Sequence, residues 1–254
     1  MSATALSARA VQAGFVAALL ALWLYVGHAG MVSPIFLPRL ERVLEQFASI
    51  IWTGRVIEHL RVTLLELGVA YAGSAILGLG LGYAIGRSRY AVAVMEPLIA
   101  GIFAVPIIIF LPLFILFFGI DVESKMAFGA TYAFFPIVLN TIGGVSQVDA
   151  RYINVARSLG ASGRQMFWRV VLPSALPVIM TGIRIGFIIG FLAIIGSETI
   201  AGINGLGSQI VRLAEGMNTA EMFAYVFFVI LIALLLNGAL SLLQKRINRA
   251  SEAA

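Results

Sequence analysis

Six long apolar segments, separated by shorter polar ones, dominate the sequence. They run over about 11–32, 62–85, 97–118, 126–145, 175–200 and 222–243. Each has roughly 20 residues or more, enough for a helix to cross the ~30 Å hydrocarbon layer of a bilayer. Because backbone polar groups inside lipid have to be satisfied within the segment itself, the pattern predicts six membrane-spanning helices.

A shorter amphipathic pattern lies between the first two segments, in residues 34–61. Its apolar residues recur at helical spacing; they are Leu40, Val43, Leu44, Phe47, Ile50 and Ile51. Such a stripe is typical of a short helix that lies along the membrane surface. We therefore expect an interfacial helix before the second span.

One polar stretch, residues 154–173, has the sequence of a defined structural element. Gly160 is suited to the left-handed position that ends a helix. Ser162 followed by Gln165 is the capping-box pattern of a helix start. Pro173 either ends this second helix or begins the next one. The stretch predicts a helix, a glycine corner and a second helix at the membrane surface.

Composition supports a membrane protein and excludes a soluble globule. Hydrophobic residues make up 61% of the chain, charged residues 11%, and the mean hydropathy is +1.01. Soluble domains carry about 25% charged residues. Cysteine is absent, which excludes a disulfide framework and thiolate chemistry.

The net charge of +5 is better explained by membrane topology than by nucleic-acid binding, because cytoplasmic loops collect Lys and Arg. With the N-terminus inside, ten such residues lie inside: Arg9, Arg87, Arg89, Arg151, Arg157, Arg164, Arg169, Lys245, Arg246 and Arg249. Six lie outside: Arg39, Arg42, Arg55, Arg61, Lys125 and Arg212. The bias predicts that both termini and residues 149–173 are cytoplasmic.

The first apolar segment also has the basic start and alanine-rich core of a signal peptide. Its apolar stretch is longer than a usual signal core, and no convincing small-residue cleavage site follows it. We therefore interpret it as a span. No internal repeat is evident, and residues 1–254 are treated as one transmembrane domain with its core at about 57–245.

Six glycines crowd the second span: Gly68, Gly73, Gly78, Gly80, Gly82 and Gly86. A phosphate-binding loop would need a Gly-Lys-Ser/Thr ending. The two lysines, Lys125 and Lys245, do not follow glycines, so the chain supplies no Walker A lysine. We interpret the glycines as places where two helices approach closely.

The third span carries Pro97, Pro106 and Pro112. Proline removes a backbone hydrogen bond and kinks a helix. In a membrane such breaks are tolerated where neighbouring helices or a cavity satisfy the freed carbonyl groups. Two interpretations stay open: simple bending for packing, or a broken segment that lines a pathway.

Arg184 lies about ten residues into the fifth span, roughly 15 Å deep at 1.5 Å per residue. Charge at that depth usually faces a cavity or a partner. It either contacts an anion in a pathway or forms a structural ion pair with a carboxylate. Glu198 lies roughly 21 Å further along a helix and cannot be that partner within one straight helix. Glu66 fits a snorkelling or paired carboxylate.

Catalytic and metal-binding patterns are absent from the sequence. His28 and His59 have no acidic or cysteine neighbours at ligand spacing. No nucleophile stands beside a general base. We expect neither a metal site nor an enzyme.

The spacing in residues 154–173 resembles the EAA motif of ABC importer permeases. Ala156, Gly160, Leu172 and Pro173 match the motif, Val170 replaces its Ile, and Asn154 and Val155 depart from its Glu-Ala start. Val105-Pro106, Leu111-Pro112-Leu113 and Phe134-Phe135-Pro136 resemble the nitrate, sulfonate and taurine branch. So do Asn140-Thr141 and Ala161-Ser162.

The resemblance implies an all-α integral membrane protein with the six-span type I importer bundle, in a bacterial inner membrane. It implies a pair of permease copies, cytoplasmic ATPase subunits that bind ATP and Mg, and an extracytoplasmic binding protein. The substrate would be a small anion or organic acid such as nitrate, a sulfonate or taurine. No cofactor is expected in this chain.

The resemblance also assigns roles to residues. ATPase coupling falls to Asn154, Ala156, Arg157, Ser158, Leu159, Gly160, Ala161, Ser162, Leu172 and Pro173. By the resemblance, the translocation pathway would include Glu198 and Pro106, and the depth of Arg184 in the fifth span makes it the third candidate. Leu159, Met166 and Phe167 are expected to present one apolar surface to the ATPase.

An ATP-independent secondary transporter or channel is the main alternative. It would explain the spans and Arg184, but it would not explain the Gly160-to-Pro173 spacing. A membrane-embedded enzyme is a further alternative, for which the sequence offers no catalytic group.

Overall fold

A computed structural model describes the backbone of residues 3–252 and the side chains of residues 10–247; within them every regular element is helical. The α-helices are α1 Ala3–His28, α2 Leu40–Trp52, α3 Arg55–Gly86, α4 Arg89–Phe103, α5 Leu111–Phe118, α6 Val122–Ser146, α7 Ala150–Ser158, α8 Gly163–Met166, α9 Leu172–Ala201, α10 Leu206–Glu215 and α11 Thr219–Glu252. A 3₁₀ turn covers Ile107–Phe110 and a π-helical turn covers Phe167–Val171. The all-α prediction is confirmed.

Five stretches of helix among the described residues are long and apolar enough to cross a membrane. They are Ala10–His28, Arg55–Gly86, Val122–Ser146, Gly163–Glu215 and Thr219–Ile247. A sixth span results if the bent pair Arg89–Phe103 and Ile107–Phe118 counts as one. The six predicted spans are thus five continuous apolar helices and one bent pair of helices.

The third span, predicted over 97–118, begins earlier than expected, and the distortion predicted from its prolines is present. Helix α4 begins at Arg89, where the Ser88 hydroxyl accepts a bond from the Ala91 N–H at 3.3 Å. The chain then bends by 74° after Phe103. Pro106 is extended at φ −63° and ψ 92°. Because proline lacks an N–H and disfavours helix in the residue before it, α4 does not continue through Val105.

The fourth span begins earlier than predicted. Asp121 caps α6 by accepting a bond from the Val122 N–H at 2.9 Å. Ser124 and Lys125 therefore lie in the first turn of a helix and are buried, whereas the sequence placed Lys125 in an outer loop. Apolarity alone set the predicted boundary, and it missed a lysine whose charge is paired.

The chain divides into two compact units, of which the first comprises the residues up to His59 together with Gln209–Ile230. Here Trp23 of α1 packs edge-on against Phe223 and Phe227, at centroid distances of 5.4 and 5.7 Å. The predicted interfacial helix is α2, which buries Val43 and Ile50. The helix is confirmed, but Leu44 and Ile51 of the predicted stripe are exposed, and its position at the membrane surface stays a prediction.

The second unit comprises Leu60–Ser208 and the chain from Leu231 onward, with α6 packed between α3 and α9. Gly78, Gly82 and Gly86 of α3 lie against α6, and Gly182, Gly186 and Gly190 of α9 lie against it as well. A Cβ on Gly82 would lie 2.5 Å from the Cβ of Thr141. The close approach predicted for the second-span glycines is confirmed for these three but not for Gly68, Gly73 and Gly80, which face open space.

Candidate coupling and translocation sites

The polar segment folds into the predicted helix, corner and helix. Asp149 caps α7 by accepting a bond from the Arg151 N–H at 2.8 Å. Gly160 follows α7 with φ +75°. The Ala161 N–H reaches back to the Ala156 carbonyl at 3.0 Å and the Gly160 N–H to Arg157 at 2.9 Å. This bonding is a Schellman ending, which glycine adopts without steric cost.

The second helix starts with a complete capping box. The Gln165 N–H donates to the Ser162 hydroxyl at 3.3 Å, and the Ser162 N–H donates to the Gln165 side-chain oxygen at 2.8 Å. A π-helical turn then leads into α9, with Pro173 in its first turn. Of the two interpretations of Pro173, the start of the next helix is correct.

An exposed apolar face runs along α7. Tyr152, Val155 and Leu159 are 63%, 59% and 81% exposed, and their spacing of three and four residues puts them on one side of the helix. Together with Ala156 and Val170 they line an open groove of about 570 Å³. Tyr152 and Val155 were not among the predicted site residues, although their helical spacing with Leu159 is visible in the sequence.

The expected common surface of Leu159, Met166 and Phe167 is wrong. The Phe167 ring packs edge-on against Tyr83 of α3, with centroids 4.7 Å apart. It borders an apolar cavity of about 220 Å³ that Leu172 also lines. Phe167 therefore joins the polar segment to the helical bundle, and the exposed apolar side chains of this segment are those of Tyr152, Val155 and Leu159.

Arg184 has a neutral partner. Its Nε donates to the Asn237 side-chain oxygen of α11 at 3.1 Å, in a partly buried position. No carboxylate pairs with Arg184 in the part of the chain that the structure describes. The structural ion pair considered for it is therefore not formed. Asn237 lies 53 positions after Arg184, so no local sequence pattern predicts this pair.

Glu198 is only 1% exposed, and its own chain encloses it. One carboxylate oxygen accepts a bond from the Thr63 hydroxyl at 2.6 Å, and the other accepts one from the Gly207 N–H at 2.7 Å. Gly205 has φ +117°, and a Cβ there would run into the carboxylate. The segment 202–207 thus closes around Glu198.

Glu66 and Lys125 form a fully buried ion pair. The Lys125 Nζ lies 2.8 Å from Glu66 Oε1, and both side chains are 0% exposed. The prediction that Glu66 is a paired carboxylate is confirmed, but its partner was unforeseen because Lys125 was assigned to a loop.

The three predicted pathway residues are held apart from one another. Arg184 bonds Asn237, Glu198 bonds Thr63 and Gly207, and Pro106 lies exposed at the bend after α4. Only Arg184 among them combines a charge with partial exposure inside a predicted span.

Five long apolar helices and a bent helix pair in one chain are typical of a multi-pass membrane protein. The family model described as "Binding-protein-dependent transport system inner membrane component" matches residues 75–252. The chain belongs to this family of ABC importer permeases.

The chain is similar to permeases for small anions and sulfonates. It is 34% identical over 240 residues to the taurine transport system permease TauC of Escherichia coli K12, covering 92% of this chain and 87% of that protein. It is 31% identical to the putative aliphatic sulfonates permease SsuC of Bacillus subtilis, covering 91% and 84%. Identity to the nitrate import permease NrtB of Synechocystis is 29%, covering 75% and 69%.

Solved structures of the same fold include an inward-facing form of the MetNI methionine ABC transporter, with a TM-score of 0.61 and 21% identity. The match covers 80% of this chain and 98% of that one. An amino acid ABC transporter solved with histidines gives a TM-score of 0.61 and 20% identity, covering 80% and 97%. The importer fold predicted from the sequence is thereby confirmed.

Proposed function

We propose that this permease forms the pathway for a small organic or inorganic anion and is driven by a separate ATPase that docks on residues 149–173. Two copies would enclose the pathway, and a binding protein would deliver the substrate from outside. The Lys and Arg distribution supports cytoplasmic termini and a cytoplasmic docking segment.

The docking role rests chiefly on the exposed face of α7. Soluble surfaces rarely leave Tyr, Val and Leu together at 59–81% exposure without a partner. The neighbouring corner is fixed by the Schellman bonds at Gly160 and the capping box at Ser162, so the groove has a defined shape. Arg169 and Ser174 also line the groove and supply polar groups at its edge, whereas Asn154, Arg157 and Ser158 lie on the opposite, exposed side of the helix.

The pathway role is given to Arg184. Asn237 holds the guanidinium through Nε, and the two terminal nitrogens remain to contact an anion in a fork. Pro106 would allow the third span to bend around the pathway. Glu198 would be a structural anchor that stabilises the helices around the pathway.

The substrate class follows from this arginine and from the relatives. A planar fork of N–H donors suits a sulfonate, nitrate or carboxylate oxygen pair. Taurine, aliphatic sulfonates and nitrate are the substrates named for the similar permeases. We propose a small anion of this kind.

Co-purification of the ATPase subunit with Leu159→Ser tests the docking role. A buried leucine side chain contributes about 1.5–3 kcal/mol, so binding should weaken by roughly tenfold or more. Arg157→Ala removes an exposed charge from the side of α7 that does not line the groove; it is the matched control and should change binding little. Retention of the ATPase by Leu159→Ser, or transport by the isolated chain without ATP, would contradict the proposal.

A further inference from the structure

Three ionisable side chains from three helices meet in the interior of the second unit. Glu66 of α3 and Lys125 of α6 are 0% exposed, and Glu198 of α9 is 1% exposed. With all three ionised, two carboxylates face one ammonium group and one negative charge is left over. An uncompensated charge in such a place is strongly unfavourable, since neither water nor a counter-ion reaches it.

The two carboxyl groups are neighbours. Thr63 precedes Glu66 by one helical turn on the same face of α3, and the Thr63 hydroxyl bonds Glu198 at 2.6 Å. Thr63 therefore places the two carboxyl groups beside the same turn of α3, where each lies within electrostatic reach of the other. Two ionised carboxylates only accept hydrogen bonds, so they cannot bond one another without a proton.

The hydrogen bonding of Glu66 is incomplete when it is treated as ionised. Both of its oxygens are buried and lack a donor of normal geometry among the described residues, although Lys125 Nζ is only 2.8 Å from one of them. Buried polar atoms of this kind are rare in folded proteins and call for an unseen partner. A proton on the carboxyl pair would supply that partner.

We propose that Glu66 and Glu198 bind one proton between them, and that this proton makes the cluster with Lys125 electrically neutral. The further charge that acts on Glu66 is Asp121, the exposed N-cap of α6. A negative Asp121 repels the ionised form of Glu66 and so favours a proton on the carboxyl pair. The inference concerns the folded permease itself and does not rest on the proposed substrate.

The proton has a structural consequence for the segment 202–207. Glu198 accepts the Gly207 N–H, and Thr63 accepts the Leu206 N–H at 3.0 Å while donating to Glu198. The neutral cluster therefore fastens the start of α10 to α3, α6 and α9. Without the proton, repulsion between the two carboxylates would separate Glu198 and Thr63, which hold the Gly207 and Leu206 N–H groups at the start of α10.

Infrared spectra of the assembled wild-type and variant complexes, compared with one another, test the proton directly. At neutral pH the wild-type spectrum should contain the carbonyl band of a protonated carboxyl group, shifted in D₂O, and the Glu66→Gln complex should lack it. Glu221→Gln, which removes a carboxylate paired with Arg55 at 2.8 Å, is the matched control and should keep the band. Absence of the band in the wild type would overturn the proposal.

A charge series provides a second test through thermal unfolding midpoints. Glu66→Gln leaves one carboxylate and one ammonium, so its midpoint should equal that of the wild type; a clear rise would mean that both carboxylates are ionised and would refute the shared proton. Glu66→Gln with Glu198→Gln leaves Lys125 uncompensated and should lower the midpoint or prevent assembly. Adding Lys125→Met should restore it, because the triple variant lacks the same Glu198 bonds but carries no charge. No restoration would count against a neutral cluster.

Discussion

Arg184 donates through Nε to Asn237 and has partial exposure inside a predicted span. Replacing it with alanine should reduce transport while the complex remains assembled. A hydrogen bond from a charged group contributes about 1.5–3 kcal/mol, which corresponds to roughly 10- to 100-fold in transport efficiency. The measurement is substrate uptake by reconstituted complexes, with assembly checked by gel filtration.

Arg184→Lys is the informative companion to that variant. It keeps the charge but loses the planar fork, so uptake should fall to an intermediate value. Normal uptake by a well-assembled Arg184→Ala complex would exclude any contact between this residue and the substrate.

Two glycines in one helix separate close packing from mere flexibility. In Gly82→Ala the new Cβ would lie 2.5 Å from the Thr141 Cβ and 2.9 Å from the Val138 carbonyl oxygen. Overpacking of this kind costs about 1–3 kcal/mol, so the unfolding midpoint of the purified permease should fall. Gly80→Ala is the control, because nothing lies within 4 Å of its Cβ position. Equal midpoints for the two variants would contradict the packing described for α3 and α6.

At the scale of single residues, the sequence predicts residue types better than partners. It indicated that glycines of the second span serve packing, but Gly80 and Gly82 look alike until α6 is in place. Glu66 was expected to be paired, yet Lys125 is 59 positions away in a segment that hydropathy assigned to a loop. Such pairs depend on how helices are arranged, which local patterns do not encode.

Among the elements, the corner after α7 lends itself to a sharp comparison. Gly160 has φ +75°, whereas Gly163 is the first residue of α8, and neither has an atom within 4 Å of its Cβ position. A side chain at the left-handed position costs roughly 1–2 kcal/mol, and more when β-branched. Gly160→Val should therefore lose ATPase binding in a pull-down assay, and Gly163→Val should retain it. Equal binding by both would mean that the corner geometry does not matter.

Element boundaries show where sequence patterns stop being informative. The capping box and glycine ending of the polar segment were predicted because both consist of local residues at fixed offsets. The start of α4 was missed because Ser88 caps it outside the most apolar stretch. Pro106 indicated a distortion of the third span, but a proline in a sequence does not give the size of the bend, which is 74°.

For the whole molecule, orientation is the property that the charge distribution predicts. Lys125 is buried and no longer counts among the six outer residues. The bias therefore becomes ten Lys and Arg residues inside against five outside. A single cysteine at Ser162 should therefore be shielded from an impermeant thiol reagent applied to intact cells, and one at the exposed Asn204 should react. The chain has no native cysteine to interfere.

The predicted topology offers two further labelling sites, Ser124 outside and Ser251 inside. Ser124 is unsuitable because it is 1% exposed, and the Ser251 side chain lies outside the described residues. Labelling of Ser162→Cys from outside would reverse the topology and remove the docking role of residues 149–173.

Fold class and family could be predicted from the sequence because they depend on long apolar segments and on the spacing from Gly160 to Pro173. Lipid permits few backbone structures, so apolar length alone limits the choice to helices. The division into two compact units and the buried cluster could not be predicted, since both depend on contacts between residues far apart in the chain.

The π-helical turn at Phe167–Val171 joins the capped helix α8 to the span α9. It holds about one residue more per turn than an α-helix, so rewinding it as α-helix would rotate everything before it by about 100° around the axis of α9. The 220 Å³ cavity beside Phe167 leaves its ring room to follow. If an ATPase docks on residues 149–173 as proposed, its motion would then rotate α9 about its own axis and would not shift it along that axis. Spin labels at Ser158 and Ser174 should change their separation during ATP turnover, and a constant separation would mean that the joint is rigid.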